Sequence, residues 1–275
     1  MAGRPRTLAP VKIALVDSGI GLLAAAAAVR RLRADASLVL SSDPAGMPWG
    51  PRSPQDITAR ALSCARAAAA ERPDALIVAC NTASVHALPA LRAELEPRVP
   101  VVGTVPAVKP AAAGGGPLAV WATPATTGSP YQRRLIRDFA AGVTAVEVPC
   151  QGLDDAVERA DEAAVTEAVR AAAALTPPDT RAVVLGCTHY ELVADLIRAH
   201  LEPVTGGPLA LHGSAGAVAA QALRRLGTAP VSGADPRAAG PRDLVVLAGG
   251  RPASLPAAAD GYAEGRLLRP GITTV

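Results

Sequence analysis

Short apolar runs alternate along the chain with longer stretches in which alanine, leucine and valine recur at helical spacing. Four of these runs span residues 12–19, 74–81, 118–123 and 182–188, and each is followed almost at once by such a stretch. Apolar runs of this length that end in small or polar residues predict buried parallel strands, and the stretches between them predict helices. The pattern therefore predicts an α/β protein built from βα units, in which ligands bind where the strands end.

The same pattern is repeated within the chain. The segment DALIVACNTAS matches RAVVLGCTHYE, which sets Cys80 against Cys187, 107 positions later. KIALVDSG matches LAVWATPAT, which sets Asp17 against Thr123, 106 positions later. Two independent matches with nearly the same offset predict two similar three-layer α/β domains with parallel-type sheets, related by a pseudo-twofold axis, with the active site at their interface.

The expected domain limits follow from this repeat. The first domain comprises residues 11–103 together with 208–254, because LALHGSAGAVAAQALRRL predicts a further strand and helix that return to it. The second domain comprises residues 104–207, and residues 255–275 form a C-terminal tail. From Ala229 onward, proline, glycine and alanine are so frequent that no structure is predicted.

Composition argues against several classes of function. Aromatic residues make up 2% of the chain, too few for the stacking platforms that bind single-stranded nucleic acid. The formal net charge of +3 comes from arginines spread along the chain, so no basic patch for direct nucleic-acid contact is predicted. No uncharged apolar run approaches the roughly 20 residues of a membrane span, and the N-terminal residues lack the apolar core of a secretion signal. We therefore expect a cytoplasmic protein without membrane contact.

The spacing of the cysteines bears on their chemistry. They lie far apart without a CxxC pair, which disfavours a zinc site and a disulfide framework, and no metal is expected; they are Cys64, Cys80, Cys150 and Cys187. A lone cysteine at a strand end is usually a small buried residue. The repetition of Cys80 as Cys187 in the second half favours a functional role for this pair. Cys64 lies on a helical stretch and is assigned to packing.

Two thiols that reach one cleft from opposite sides suit one type of reaction. A planar carbanion between them could be protonated on either face, which is the geometry of a two-base racemase. Such chemistry needs no cofactor, and neither of the two lysines, Lys12 and Lys109, is placed as a Schiff-base residue. One thiol must be ionised while the other keeps its proton, and the helices that follow favour the thiolate. The nearby Asp17 and His189 could position or shuttle protons.

Five motifs resemble those of glutamate racemase, a member of the aspartate/glutamate racemase superfamily. They occur in the same order across residues 16–190: VDSGIG, PWGPRS, ACNTAS, ATPATTGSPY and GCTHY. The pairing of CNTAS with GCTHY is highly specific. Aspartate racemases share the cysteines but typically carry a glutamate where His189 stands, so the histidine favours glutamate as the substrate.

The resemblance implies a cofactor-independent enzyme that interconverts L- and D-glutamate by two-base proton transfer and supplies D-glutamate for peptidoglycan. Cys80 would remove the α-proton of D-glutamate and Cys187 that of L-glutamate. Glu158 would assist, as would Asp17 beside the first thiol and His189 beside the second. The implied substrate-binding positions are Asp17, Ser18, Trp49, Gly50, Asn81, Thr82, Thr123, Thr126 and Thr188. We also expect a homodimer.

Four positions depart from the motifs of the family. Leu22 stands where a second glycine is usual, Trp49 replaces a tyrosine, Glu191 replaces a proline, and the segment 211–214 lacks an expected aspartate. Leu22 has the most serious consequence, because a bulky side chain there could crowd the first helical turn or the cleft. The alternatives are therefore a racemase of another substrate, such as aspartate or a hydantoin, and a non-catalytic paralogue with a binding or regulatory role.

Overall fold

A computed structural model describes residues 11–230 and 244–269 of the chain. The N-terminal residues 1–10, which the sequence predicts not to be a secretion signal, lie outside the described residues. So do residues 231–243 of the predicted first domain and residues 270–275 of the predicted tail.

The strands form two sheets. Along the described residues they are β1 (Lys12–Asp17), β2 (Ser37–Ser42), β3 (Ala75–Val78), β4 (Val101–Gly103), β5 (Leu118–Ala122), β6 (Ala145–Pro149), β7 (Ala182–Leu185), β8 (Ala210–His212), β9 (Leu244–Ala248) and β10 (Arg251–Pro252). The first sheet has six strands in the order β10-β9-β2-β1-β3-β4, and the second has four in the order β6-β5-β7-β8. Among the described strands, every pairing is parallel except that of β9 with β10.

Helices pack on both faces of the sheets. Along the described residues they are α1 (Leu22–Leu32), α2 (Pro54–Ala70), α3 (Asn81–His86), α4 (Leu88–Leu95), α5 (Val108–Ala112), α6 (Pro130–Phe139), α7 (Leu153–Glu158), α8 (Glu162–Ala174), α9 (Ala194–Thr205), α10 (Ala215–Arg225) and α11 (Ala263–Leu268). Two 3₁₀ segments, Thr188–Val193 and Ala257–Gly261, complete the set. Ser53 and Ser129 cap the N-termini of α2 and α6, as helix-initiating residues do. No helix in the described ranges is long and apolar enough to cross a lipid bilayer.

The two sheets repeat one strand order. Counted along each half, β2-β1-β3-β4 and β6-β5-β7-β8 both run second, first, third, fourth. Asp17 ends β1 where Thr123 follows β5, and Cys80 follows β3 where Cys187 follows β7. The predicted α/β class, with two similar halves on parallel sheets, is therefore confirmed.

One strand lies in a different half from the one predicted. The sequence assigns residues 208–254 to the first domain, but β8 pairs with β7 of the second sheet. The repeat explains this placement, because β8 is the counterpart of β4 and completes the second half as its fourth strand. The later part of the range does return to the first half: α10 packs on α1, β3 and β4, and β9 pairs with β2. The domain limits as a whole stay a prediction.

The largest apolar core joins the two halves. Ile13 and Leu15 of β1 face this core, whereas Ala14 and Val16 face a second core beneath α2 and α4. Such alternation is expected of a strand buried on both faces. Trp121 of β5 brings the second sheet into the same central core. Helix α1 packs against α10, α11 and the first sheet, and its small alanines allow this close approach.

Candidate active site

One cleft receives the carboxyl ends of strands from both sheets. β1 and β3 lead into it from the first sheet, and β5 and β7 lead into it from the second. The empty space between its walls, with open solvent at the mouth included, is about 430 Å³. The lining includes Cys80, Cys187, His189 and every position that the resemblance predicts to bind substrate, from Asp17 to Thr188. Residues more than 100 positions apart therefore converge where parallel strands end.

Cys80 lies on the first-sheet side of the cleft. It is buried between β3 and α3, beside the carboxyl of Asp17 at the end of β1. Burial raises the pKa of the Cys80 thiol well above its usual value, and the charge of Asp17 raises it further. The backbone N–H of Ala83 in α3 acts in the opposite direction. The environment of Cys80 thus favours the protonated thiol when Asp17 is ionised.

Asp17 is a buried carboxyl group with one oxygen available. Oδ1 accepts hydrogen bonds from the backbone N–H of Ser18 at 2.7 Å and from its hydroxyl at 3.4 Å. Oδ2 is buried and has no hydrogen-bond partner among the described residues. Burial raises the pKa of Asp17 to about 6, although His189, Cys80 and the Ser18 N–H each act to lower it. A substrate ammonium would satisfy such an oxygen.

Cys187, on the second-sheet side, begins a chain of three side chains. Its Sγ lies 3.7 Å from Nδ1 of His189, and Nε2 of His189 lies 2.9 Å from Oε2 of Glu158 in α7. The same Glu158 oxygen accepts the backbone N–H of Ile20 at 2.8 Å, which ties this chain to the first half. Glu158 does not line the cleft but lies behind His189.

The two thiols have different electrostatic surroundings. Burial lowers the pKa of His189, but its hydrogen bonds with Cys187 and Glu158 outweigh burial and raise the pKa well above its usual value. Burial raises the pKa of Cys187, and the contact with His189 works against that rise. Cys187 thus has an easily protonated imidazole beside it, whereas Cys80 has a carboxyl group.

The backbone at Gly21 passes between Asp17, on the first-sheet side of the cleft, and Thr188 and His189, on the second-sheet side. A side-chain carbon at this position would lie 2.5 Å from Oδ2 of Asp17 and 2.5 Å from Oγ1 of Thr188. It would also lie 2.7 Å from Nδ1 of His189. Any larger residue would therefore displace these groups, so glycine at this position permits their close approach.

Asn81 connects the segments that carry the two thiols. Its Nδ2 donates a buried hydrogen bond to the carbonyl oxygen of Gly186 at 2.7 Å. Its Oδ1 is buried without a partner among the described residues and is free to accept a hydrogen bond from a ligand. Across the cleft, Oγ1 of Thr123 donates to Oγ1 of Thr126 at 3.2 Å. The free Oδ1 of Asn81 suits a donor such as an ammonium, whereas the threonine hydroxyls suit a carboxylate.

The departures at Leu22 and Trp49 leave the cleft intact. Leu22 is buried in the central core and does not line the cleft, so the expected crowding of the cleft does not occur. Trp49 is buried at the cleft wall, where its Nε1 donates a hydrogen bond to Oδ2 of Asp43 at 3.1 Å. Arg60 binds the same carboxyl oxygen at 2.9 Å. This network fixes the loop that presents Gly50 to the cleft.

The departures at Glu191 and in the segment 211–214 are related in space. Glu191 is buried, and its Oε1 accepts hydrogen bonds from the backbone N–H and the hydroxyl of Ser214, both at 2.8 Å. Both carboxyl oxygens also accept the backbone N–H of Ala215 at 3.2 Å. Glu191 thus caps the first turn of α10, whose own N-cap side chain makes no capping bond. Burial raises the pKa of Glu191, and these donors oppose the rise.

Four further residues line the cleft that the sequence did not single out. They are Met47, Pro48, Asp154 and Gly186. Pro48 and Gly186 stand within recognised motifs, so their positions could have been carried over with them. Asp154 lies in the first turn of α7 after β6, where an aspartate taken alone indicates only an ordinary helix start.

Comparison with known proteins yields one consistent group of relatives. The Asp/Glu/Hydantoin racemase family model matches residues 21–225. A glutamate racemase from Roseiflexus sp. (strain RS-1) is 40% identical over 195 residues, 68% of this chain and 70% of that protein. One from Granulibacter bethesdensis is 38% identical over 220 residues, 77% of each chain. The structure of Escherichia coli glutamate racemase in complex with L-glutamate and the activator UDP-MurNAc-ala aligns with a TM-score of 0.74 at 26% identity, over 92% of both chains.

Proposed function

The chain belongs to the Asp/Glu/hydantoin racemase family, and from that premise we propose that it is a glutamate racemase that works by two-base proton transfer between Cys80 and Cys187. The observation that carries the proposal is the position of both thiols on one cleft at equivalent strand ends. Each thiol has a separate acid–base neighbour, Asp17 for Cys80 and His189 for Cys187.

The ends of the substrate have matching partners in the cleft. The ammonium would bind Oδ2 of Asp17, which has no hydrogen-bond partner among the described residues, in a charge-assisted contact. The two carboxylates would bind neutral donors, among them the side chains of Ser18, Thr82 and Thr188 and the backbone near Gly50. This arrangement would leave the α-carbon between the two thiols.

The proton balance closes over one turnover. With L-glutamate bound, the Cys187 thiolate takes the α-proton, and the resulting carbanion takes a proton from the Cys80 thiol on the opposite face. The product is D-glutamate, with a thiol at Cys187 and a thiolate at Cys80. The reverse reaction starts from that state, in which Cys80 takes the α-proton of D-glutamate. Asp17 and His189 would exchange protons with the thiols, and Glu158 would hold the imidazole.

Deuterium incorporation tests the mechanism. In deuterium oxide the thiol on the far face carries solvent deuterium, so early product should contain α-deuterium well before recovered substrate does. A single base that served both faces would return original hydrogen to the product. The same asymmetry is expected from either enantiomer, followed by mass spectrometry and chiral chromatography. Early product that retains its α-hydrogen would rule out two-base transfer.

Cysteine variants supply the matched controls. Cys80→Ser and Cys187→Ser should each halt inversion, because a serine hydroxyl is far too weak an acid–base group at neutral pH. Cys64→Ser and Cys150→Ser should retain most of the activity, since both thiols are buried outside the cleft. Burial raises the pKa of Cys64 to about 12. Inversion by Cys187→Ser at a rate near that of the unaltered protein would contradict the proposal.

The substrate and the biological setting are parts of the same proposal. Polarimetric assay against a panel that includes L-glutamate, L-aspartate and a hydantoin, without added cofactor, identifies the substrate. Inversion of aspartate alone would overturn the assignment to glutamate, and inversion of none would favour a non-catalytic role.

D-glutamate produced in the cytoplasm would serve peptidoglycan synthesis, which rescue of a D-glutamate auxotroph would test. The proposed homodimer predicts twice the chain mass in light scattering.

A further inference from the structure

Asp154 is a second carboxyl group of the cleft, and the reaction proposed above does not use it. It lies in α7 and lines the cleft on the side of Cys187. Its side chain is partly buried. Burial raises the pKa of Asp154, and the nearby His189 acts to lower it. The next residue, Asp155, lies on the same helix but does not line the cleft.

The surroundings of Asp154 contain little positive charge. Its ionisable neighbours come from each element packed around it; they are Cys150 after β6, Cys187 after β7, His189 and Tyr190 in the 3₁₀ segment, and Asp155 in α7. Among these, His189 alone can carry a positive charge, and its Nε2 already contacts Glu158. No lysine or arginine lines the cleft in the part of the chain that the structure describes. An ionised Asp154 would also raise the pKa of Cys187, which opposes formation of the thiolate.

Glutamate brings more negative than positive charge into this cleft. Its single ammonium is matched by Asp17, which leaves two substrate carboxylates among neutral hydrogen-bond donors. The one positive charge near a carboxylate at Asp154 would be that of His189, which Glu158 and Cys187 already contact, and like charges in a partly buried site favour protonation of one of them. A neutral Asp154 removes the repulsion and also supplies an O–H donor to a carboxylate oxygen.

Resting on the proposed function, we propose that Asp154 is a substrate-binding residue that receives glutamate as its neutral carboxylic acid, so that glutamate binding is accompanied by uptake of a solvent proton at Asp154. The proton passes from buffer to a carboxyl oxygen of Asp154 and returns to the buffer when the amino acid leaves. No other bond is made or broken.

The pH dependence has a definite sign. Because glutamate binds the protonated form more tightly, it raises the pKa of Asp154 above the value in the free protein. Through Asp154, the affinity for glutamate therefore falls as pH rises between the two values. The dissociation constant rises by as much as about tenfold per pH unit within that window.

Calorimetry measures the proton directly. Titration with DL-glutamate at its enantiomeric equilibrium produces no net reaction, so the heat reports binding. Repeating the titration in phosphate and in Tris, which differ in ionisation enthalpy, gives the number of protons taken up at each pH between 7 and 8.5. Asp154→Asn keeps an N–H donor but cannot ionise, and Asp155→Asn is the matched control. Asp154→Ser replaces the asparagine variant if that variant does not fold.

For each glutamate bound, we expect the unaltered protein to take up as much as one proton more than Asp154→Asn. Asp155→Asn should take up as many protons as the unaltered protein. At pH 8.5 the asparagine variant should bind glutamate several-fold more tightly than the unaltered protein. Suppose that glutamate is still inverted, but the unaltered protein takes up no proton or Asp154→Asn takes up as many. The inference about Asp154 is then overturned, and the proposed function is not. Absence of both binding and inversion of glutamate would overturn the proposed function as well.

Discussion

The side chain of Asn81 donates a hydrogen bond to the backbone carbonyl oxygen of Gly186, and the two atoms lie 2.7 Å apart in a buried position. Asn81 directly follows Cys80, and Gly186 directly precedes Cys187. A single bond across 105 positions of sequence therefore joins the segments that carry the two thiols. Because β3 and β7 lie in different sheets, this bond fixes one half against the other at the point where the reaction is proposed to occur.

We predict that Asn81→Ala destabilises the protein by about 1–3 kcal/mol, because the buried carbonyl oxygen of Gly186 loses its donor. Inversion should fall more than stability alone explains, since the spacing of the thiols would relax. Urea unfolding and polarimetry of glutamate measure the two effects. Asn81→Asp has the same size but sets a carboxylate against the carbonyl oxygen, so it should be the more damaging variant. A free energy of unfolding unchanged in both variants would show that the bond contributes nothing.

Asp17→Asn and His189→Asn should slow the two directions of inversion unequally, because each side chain lies beside a different thiol. Loss of a positioned proton-transfer group typically lowers the rate by a factor of about 10²–10⁴. The equilibrium constant between enantiomers is one, so kcat/KM must stay equal in both directions and the asymmetry must appear in kcat and KM separately. Initial rates from pure L- and pure D-glutamate give these parameters. Equal changes in both directions would remove the assignment of one helper to each thiol.

The stability of the protein should depend on pH through Asp17. Its pKa in the folded state, about 6, lies above the usual 3.8, so the folded state binds the proton more tightly than the unfolded state. This contribution favours folding at low pH and is lost as pH rises from 3.8 to 6. At neutral pH the buried carboxylate then lowers the free energy of unfolding by about 3 kcal/mol.

Asp17→Asn should therefore raise the free energy of unfolding at pH 7 by up to that amount and should give no such gain at pH 4. Urea denaturation at the two pH values measures the difference. Asp138→Asn, at an exposed position of α6, is the matched control and should change little at either pH. If Asp17→Asn changes the free energy of unfolding equally at both pH values, burial does not raise the pKa of Asp17.

Glu191→Ala should destabilise the protein by about 1–2 kcal/mol, because the first backbone N–H groups of α10 lose their acceptor. Glu167→Ala is the control, since the exposed ion pair of Glu167 with Arg170 should contribute less than about 1 kcal/mol. Thermal and urea unfolding of both variants measure the two losses of stability. Equal losses in the two variants would indicate that the cap of α10 is no stronger than a surface ion pair.

The sequence by itself determined four of the βα units, the internal repeat and the placement of both thiols. These features are local: a buried parallel strand shows as an apolar run, and Cys80 and Cys187 stand at equivalent ends of such runs. Because parallel strands end at one edge of a sheet, the positions of Asp17 and Thr123 followed from the same repeat. The motifs then indicated the other substrate-binding candidates of the cleft, whereas Met47, Pro48, Asp154 and Gly186 were not singled out.

Only the tertiary structure decided the contacts between distant segments. The sheet that receives β8, the position of Glu158 behind His189 and the cap that Glu191 gives to α10 all depend on which faces pack together. Asp154 shows the same limit, since in sequence it is an ordinary acidic residue of a first helical turn. Its entry into the cleft results from the packing of α7 on the 3₁₀ segment that follows Cys187. Local patterns encode the elements, whereas burial and charge at the site arise from packing between elements.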